Sequence, residues 1–351
     1  MPAFLKPVLL RISWLTLLIV FSAPLFAQRI VVISDINGRY GSTEYHPRVA
    51  KAVQVIIDLK PDLVIGAGDM VAGQKQPLLD QTRLDQMWAS FNRVVADPLK
   101  EAGIELIISP GNHDGSALPG FSLEQERFKE QWLNRKTALP LLEGSEWPFR
   151  YALWFEKTLI ISIDGTRPGR LQKADLDLLK TTLERESTRA QSIMVVSHLP
   201  MWSFSSGREN DIISDPDLVS LLARYKVDLY ISGHHHVFYH GVDNSGVEHL
   251  AAGPLGGNAR KFVGQADRQP FSFVVLDSCV AGYRVSARAA PDFTAEILLS
   301  SLPGKIGDED SALKRIDLAR PVADKSCYQP STSFLIDHRG SVFSIPFPST
   351  Q

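Results

Sequence analysis

The chain has 351 residues, of which 44% are hydrophobic and 22% are charged, a composition typical of a folded globular protein. Its formal charge is -2 with histidine counted as neutral, which excludes a strongly basic or strongly acidic protein. We therefore expect no general affinity for nucleic acid or for an acidic membrane surface.

The first 27 residues have the pattern of a secretory signal. Lys6 and Arg11 are the only charged residues among them, residues 12–26 are almost wholly apolar, and the small residue Ala27 follows. The apolar run is shorter than the ~20 residues that a membrane-spanning helix needs. We expect residues 1–27 to be a cleaved signal peptide, with an uncleaved membrane anchor as the alternative. The mature protein is then periplasmic or secreted and has no stable membrane insertion.

The mature chain is mildly acidic and poor in cysteine. Without residues 1–27, 35 basic and 39 acidic residues remain, so the formal charge is -4. Cys279 and Cys327 are its only cysteines. In an exported protein they could form one disulfide that joins the C-terminal segment to the core, and two buried free thiols are the alternative.

The first half of the mature chain alternates short apolar strands with helical patterns. Strands are predicted at 29–33, 62–65 and 106–109, and apolar residues recur at helical spacing over 47–60 and roughly 78–102. Strand, helix, strand, helix, strand is the order typical of a parallel sheet with right-handed crossovers.

The second half continues with both element types and then changes character. Helical patterns are predicted at 121–140, 171–183 and 218–225, strands at 151–155, 159–163, 193–196 and 227–231, and antiparallel strands over 237–286. Weak patterns interrupted by proline follow. We expect one domain over residues 28–286 and a C-terminal extension of mixed structure over 287–351.

Five predicted strands end in polar residues. Ligands in open α/β sheets bind beyond the carboxyl ends of the strands, so we expect these side chains to form one site. If the chain is extended after the first strand, the spacing of two residues directs Asp35 and Asn37 the same way. The candidates are Asp35, Asn37, Asp69, Asn112, His198, His234 and His236.

The donor atoms of this set predict a two-metal site. Carboxylate oxygen, carboxamide oxygen and imidazole nitrogen without thiolate favour Zn, Mn or Fe. Asp69 could bridge two ions with its two oxygens, and two ions ~3.5–4 Å apart can clamp a phosphate and hold a hydroxide as nucleophile. His113 could protonate the leaving alkoxide, while Asp114 orients the imidazole ring and favours its charged form.

Taken alone, these residues have commoner structural roles. Asp35 and Asp69 could cap the helices that follow, His198 could be a buried hydrogen-bonded histidine, and residues 234–236 could be a short metal-scavenging tract. Their shared position after predicted buried strands favours a formed site.

Three further residues lie close in sequence to His198, His234 and His236. We expect His235 to face the substrate rather than a metal. Trp202 and Phe204 could line a substrate pocket, and packing in the core is the alternative.

Five sequence fragments, each after a predicted strand, occur in the order Asp35, Gly68-Asp69, Gly111-Asn112-His113-Asp114, His198 and Gly233-His234-His235-His236. Together they resemble the calcineurin-like metallophosphoesterases, the superfamily that includes the purple acid phosphatases. The resemblance covers residues 29–286 and implies a four-layer α-β-β-α sandwich. It also implies that Asp35 and His236 bind the first metal, that Asp69 bridges, and that His113 is the acid with Asp114 behind it. The second metal is then held by Asn112, His198 and His234.

One position departs from the family pattern. The family usually has histidine two residues after the first aspartate, where this chain has Asn37. The purple acid phosphatase variant has a tyrosine ligand three residues after the bridging aspartate, where this chain has Ala72. Asn37 could donate its carboxamide oxygen, and Tyr40 or His46 could swing in as an alternative ligand. We expect the first metal to bind less tightly than the second.

The sequence thus predicts an exported phosphoesterase that hydrolyses a phosphomonoester or phosphodiester of a small substrate. It predicts two divalent or trivalent metal ions, Mn, Fe or Zn, as cofactors. The alternative is a catalytically weak metal-binding or interaction protein on the same fold. The His113-Asp114 pair favours the enzyme, because a scaffold has no use for a general acid.

Overall fold

A computed structural model describes residues 28–279, 282–308 and 312–320, together with the backbone of residues 335–336 and 342–343. The predicted signal peptide, residues 1–27, lies outside this part of the chain. Cys279 takes part in a disulfide bond. Cys327 lies outside the described residues, so its pairing with Cys279 stays a prediction.

The described residues form strands and helices in close alternation. The strands are β1 (Arg29–Ile33), β2 (Leu63–Ala67), β3 (Glu105–Ser109), β4 (Tyr151–Phe155), β5 (Thr158–Ser162), β6 (Ser192–Val196), β7 (Leu229–Ser232), β8 (Tyr239–Val242), β9 (Glu248–Ala251), β10 (Ser272–Cys279), β11 (Gly282–Ala289), β12 (Ala295–Glu296), β13 (Lys305–Ile306), β14 (Leu313–Arg315), β15 (Leu335–Ile336) and β16 (Val342–Phe343). The helices are α1 (Pro47–Leu59), α2 (Gln81–Phe91), α3 (Asp97–Glu101), α4 (Asn112–Gly115), α5 (Ser122–Leu133), α6 (Lys173–Glu186), α7 (Pro216–Arg224) and α8 (Ile316–Ala319).

Two large sheets pack face to face between layers of helices. The first has the strand order β12-β11-β10-β1-β2-β3 and the second has the order β13-β14-β8-β9-β7-β6-β5-β4. Strands β1, β2 and β3 are parallel in the first sheet, as are β5, β6 and β7 in the second. The predicted four-layer α-β-β-α sandwich is therefore confirmed.

The alternation of side chains along β6 explains the layers. Met194 and Val196 belong to the core between the two sheets, whereas Ile193 and Val195 pack with Leu179 of α6 on the outer face. A strand that buries both faces needs apolar residues at every position, which is the continuous run seen in the sequence.

Two helices are shorter than their patterns predicted. The region 78–102 is divided into α2, a π-helix over Asn92–Ala96, and α3. Pro98 cannot donate a backbone hydrogen bond, and the N–H of Asp97 just before it donates to Asn92, five residues back. The pattern at 121–140 is helical only as far as Leu133.

Residues beyond the predicted domain boundary continue the two sheets. The boundary between residues 286 and 287 falls inside β11, and β12 pairs with β11 in the first sheet. Strands β13 and β14 extend the second sheet through β8. None of the helices in the described part of the chain combines the length and apolar character that a membrane-spanning segment requires.

A buried acidic pair lies beyond the carboxyl end of β5. The backbone N–H of Asp164 donates to Asp175 Oδ1 at 2.9 Å, and Arg150 Nε donates to the same oxygen at 3.0 Å. Thr166 Oγ1 donates to Asp164 Oδ1 at 2.8 Å. Burial, followed by the charge of Asp175, raises the pKa of Asp164 from 3.8 to about 6.

Replacing Asp164 by asparagine should remove a pH-dependent part of the stability. The pKa of Asp164 is raised in the folded state. Its contribution to the free energy of unfolding is therefore complete at pH values below its pKa in the unfolded chain, and it is lost as the pH rises through its pKa in the folded protein. The shift corresponds to about 3 kcal/mol. We expect the unfolding free energy of the wild type minus that of Asp164→Asn to fall by about this amount between pH ~4 and pH ~7.

The measurement is urea unfolding of the metal-free protein over this pH range. Asp177→Asn, at an exposed position of α6, is the matched control and should show no comparable change. A pH-independent difference between the wild type and Asp164→Asn would contradict the prediction.

Candidate metal centre

The carboxyl ends of five strands from both sheets meet in one place, as the sequence predicted. Backbone hydrogen bonds join the segments that follow these strands: Asp35 N–H donates to Gly68 O at 3.1 Å, Asn37 N–H to Asp69 O at 3.3 Å, and Gly233 N–H to His198 O at 2.9 Å. All seven predicted ligands are buried at this junction.

Four of these residues have backbone conformations that are uncommon outside glycine. Asp35, Asp69, His234 and His236 have φ angles of 51°, 60°, 62° and 53°. Each turns the chain sharply at the end of a strand, so that its side chain points into the junction. The chain is therefore not extended at Asp35, as the prediction that Asp35 and Asn37 share a direction had assumed.

Two glycines permit the close approach of the strand ends. A Cβ atom on Gly111 would lie 2.0 Å from the backbone nitrogen of Asp69 and 2.3 Å from its Oδ1. A Cβ atom on Gly233 would lie 1.9 Å from Ser34 Oγ and 2.7 Å from Asp35 Oδ2. Any larger residue at either position would displace a carboxylate of the site.

A first group of ligand atoms comes from Asp35, Asp69 and His236, which lie within 4.8 Å of one another. His236 Nδ1 donates to Asn258 O at 2.6 Å, so its Nε2 faces Asp35 Oδ1 at 3.0 Å. Asp35 Oδ2 accepts from Ser34 Oγ at 2.7 Å and from His234 N–H at 3.0 Å. Asp35 Oδ1 is buried without a hydrogen-bond partner among the described residues.

Asn37 lies beside this first group. It is 5% exposed. A Cβ atom on Gly257 would lie 3.5 Å from Asn37 Oδ1 and 2.7 Å from His236 Cε1, which places the carboxamide oxygen next to the His236 ring. The position that departs from the family pattern is therefore at the site.

A second group comes from Asp69, His198 and His234, again within 4.8 Å of one another. His198 Nδ1 donates to Ala67 O at 2.8 Å. Its Nε2 lies 3.3 Å from Asp69 Oδ2 and 3.1 Å from Asn112 Oδ1. Asp69 thus belongs to both groups, which is the geometry a bridging carboxylate requires.

Gln74 orients the carboxamide of Asn112, and the sequence analysis missed it. Asn112 Nδ2 donates to Gln74 Oε1 at 2.8 Å, which directs Asn112 Oδ1 toward the second group. Gln74 Nε2 donates to Ser116 Oγ at 2.9 Å, and the backbone N–H of Gln74 donates to both Glu124 oxygens at 3.0 Å. No sequence pattern marks a glutamine in an irregular loop for this role.

The carboxylates and imidazoles of the cluster shift one another's pKa values. Burial alone would raise the pKa of Asp35, but its interactions with His236 and the charge of His198 together outweigh burial and lower the pKa to about 2. Burial would likewise lower the pKa of His198, but Asp69 raises it to about 9. The pKa of Asp69 is lowered despite its burial, chiefly by His198. Burial lowers the pKa of His234 to about 4.

Asp114 does not orient His113, so that prediction is wrong. The carboxylate of Asp114 accepts from Val71 N–H at 2.8 Å and from Gly111 N–H at 3.2 Å, and it therefore holds the segments after β2 and β3 together. Burial, followed by the charge of Asp69, raises the pKa of Asp114 to about 7. His113 is oriented instead by Gly73 O, which accepts from its Nδ1 at 2.8 Å.

His235 does not face the substrate side of the site, contrary to the prediction. Its Nδ1 accepts from Phe204 N–H at 3.0 Å and its Nε2 donates to Asp211 O at 3.1 Å, so it holds a loop after β6. Phe204 is 1% exposed and packs in the core. Trp202 is half-buried against that core.

The loop held by His235 brings a further carboxylate to the site. Asp211 Oδ2 lies 3.7 Å from His234 Nε2 and accepts from Arg208 at 2.7 Å. Hydrogen bonding to His234 is the main cause that lowers the pKa of Asp211. The sequence analysis missed Asp211, because it lies in an irregular loop and not after a strand.

The donor atoms fit a pair of metal ions. Backbone carbonyls hold the Nδ1 protons of His198 and His236, so each ring presents an unprotonated Nε2 to the site when neutral. Asp35 Oδ1 has no hydrogen-bond partner among the described residues, and a buried carboxylate oxygen of this kind suits a cation.

Comparison with known proteins agrees with this geometry. The sequence profile of the calcineurin-like phosphoesterases matches residues 28–238, more than half of the chain, and the chain belongs to this family. No curated protein matches it.

Two solved structures are similar in fold. A purple acid phosphatase from yellow lupin (Lupinus luteus) seeds is 17% identical, with a TM-score of 0.55 over 87% of this chain and 57% of that one. A dimetal phosphatase from Danio rerio is 13% identical, with a TM-score of 0.52 over 77% of this chain and 98% of that one. This chain thus spans little more than half of the lupin protein, and identities this low show the fold alone.

Gln74→Leu should weaken the second metal site, because it removes the acceptor that orients Asn112. Loss of a hydrogen bond that orients a metal ligand typically lowers metal affinity by about 10- to 100-fold. Gln74→Glu keeps an acceptor for Asn112 Nδ2 and should retain most of the affinity. Titration calorimetry with Mn or Zn measures the metal affinity of both variants. Equal affinities of Gln74→Leu and Gln74→Glu for the metal would contradict the orienting role of Gln74.

Asn37→His should tighten the first metal site by roughly tenfold, because imidazole is a stronger donor than carboxamide to these metals. Stepwise metal titration of both proteins measures the change. Asn244→His, on an exposed turn, is the control and should leave both affinities as they are. An unchanged first affinity would show that Asn37 does not face the metals.

Proposed function

We propose that the protein is an exported, metal-dependent phosphoesterase that hydrolyses a phosphomonoester or phosphodiester of a small molecule. The observation that carries the proposal is the pair of ligand groups that share Asp69. Family membership supports it, because the matched family is one of phosphoesterases.

Two ions would occupy the two groups. Asp35, His236 and Asn37 would hold the first, Asn112, His198 and His234 would hold the second, and Asp69 would serve both. When bound, such a pair supplies Lewis acidity toward the phosphate and a hydroxide nucleophile at neutral pH. We propose Mn, Fe or Zn, since the donor set contains oxygen and imidazole nitrogen but no thiolate.

His113 would act as the general acid. Its Nδ1 donates to Gly73 O at 2.8 Å, which fixes the ring plane, and its Nε2 lies 3.8 Å from Asp69 Oδ2 at the edge of the cluster. The side chain is 17% exposed, so Nε2 can reach a substrate oxygen. A proton held at Nε2 would pass to the leaving oxygen as the ester bond breaks.

Export is proposed from the N-terminal pattern of residues 1–27. The disulfide bond at Cys279 supports it, because structural disulfides are typical of oxidising compartments.

A second candidate function is a catalytically weak metal-binding protein on the same fold. Asn37 favours this candidate, because it replaces a stronger donor in the first group. The two candidates differ in turnover: the weak protein would bind two ions and hydrolyse neither nitrophenyl phosphate nor bis-nitrophenyl phosphate with Mn, Zn or Fe.

His113→Gln should slow hydrolysis in a way that depends on the leaving group. General acid catalysis typically contributes about 10²- to 10⁴-fold, and a poor leaving group depends on it most. We expect the loss of kcat to be large for phenyl phosphate and much smaller for nitrophenyl phosphate, with metal content unchanged. A loss that is equal for both esters would remove His113 from the role of acid.

A further inference from the structure

A cavity lies beside the candidate metal centre, between the segment that follows β2 and the first turns of α2. Its volume is about 370 Å³. The walls combine the apolar residues Pro77, Leu78 and Leu79 with the cations Lys75 and Arg83. None of the residues assigned above to the metal ions or to proton transfer lines it.

The cavity adjoins the site through two short connections. A Cβ atom on Gly41 would lie 3.0 Å from Lys75 Cδ and 3.2 Å from Leu79 Cδ2, so two wall residues pack directly on the backbone next to Tyr40. Lys75 also follows Gln74, whose side chain holds Asn112. The cavity therefore begins one residue away from the site on both of these segments.

Tyr40 contacts the proposed general acid His113 and directly precedes Gly41, on which two wall residues pack. Its ring centroid lies 5.0 Å from that of His113, at an interplanar angle of 44°. The side chain is 55% exposed, and Leu78 in the cavity wall is equally exposed. The phenol ring beside His113 offers an aromatic face for stacking.

The cavity wall contains two cations, Lys75 and Arg83, that form no ion pair among the described residues. Within the described part of the chain, no carboxylate lies within ion-pair distance of Lys75 or Arg83, and both side chains are exposed. The one acidic residue in the wall, Asp80, caps α2, where its Oδ1 accepts from Arg83 N–H at 2.8 Å.

We propose that this cavity binds the leaving group of the substrate, and that the preferred leaving group is an aromatic alcohol with a further negative charge. The inference rests on the proposed function, because it takes His113 as the group that protonates the leaving oxygen. Tyr40 stacks on the aromatic ring, and Lys75 and Arg83 attract the anionic substituent. The cavity volume lies within the range of small-molecule sites, about 300–1,000 Å³.

Two unreactive phosphonates test the proposal: (4-carboxyphenyl)methylphosphonate and its neutral 4-carbamoyl analogue, in which a methylene group replaces the ester oxygen. Calorimetry on the metal-loaded full chain should give about fivefold tighter binding of the carboxylate, since two exposed cations contribute modestly. The double variant Lys75→Gln, Arg83→Gln should bind the two compounds equally.

Two further variants complete the design. Lys51→Gln, at an exposed position of α1, is the matched control and should keep the carboxylate preference. Tyr40→Ala should weaken both phosphonates by a similar factor, because stacking does not depend on the distant charge.

Equal binding of the two phosphonates to the wild type, or a preference that survives in the double variant, would overturn the proposal. Hydrolysis of phosphate esters is measured in the same preparations. Hydrolysis without the carboxylate preference refutes the cavity's role alone. The preference without hydrolysis refutes the phosphoesterase, and the cavity is then an anion-binding site without a leaving group.

Discussion

The structure depends on the burial of two carboxylates, Asp35 and Asp69, at the meeting point of two sheets. They are 0% and 1% exposed, and an uncompensated buried carboxylate costs several kcal/mol. Backbone N–H groups and imidazole rings supply the compensation: His113 N–H donates to Asp69 Oδ1 at 2.8 Å, and His234 N–H donates to Asp35 Oδ2 at 3.0 Å. The left-handed turns and the two crowded glycines are the local conditions that bring these donors within reach.

Backbone carbonyls orient the imidazoles, and this couples the fold to the chemistry. Ala67 O accepts from His198, Asn258 O from His236, and Gly73 O from His113. Each carbonyl belongs to a different segment from the ring that it orients, so a shift of one loop turns a ring on another. The layered sheets supply the rigidity that holds these segments, since the strands preceding Asp69, His198 and His234 are buried on both faces.

The sequence predicted the elements that follow from periodicity and the residues that follow strands. Asp35, Asp69, Asn112, His198, His234 and His236 were all predicted because a polar residue after a buried apolar run is conspicuous. Gln74, Asp211 and the carbonyl of Gly73 were missed, because they lie in irregular loops whose paths depend on tertiary contacts. The role of Asp114 was predicted wrongly for the same reason: adjacency to His113 in the chain did not make it a partner in space.

Asn37 changes the donor strength of the first group without changing its charge, because asparagine and neutral histidine are both uncharged. In the proposed two-metal site, Asp35 and Asp69 would supply two negative charges, and this sum is the same with either residue at position 37. We therefore expect the substitution to act on retention of the first ion and not through the net charge of the site.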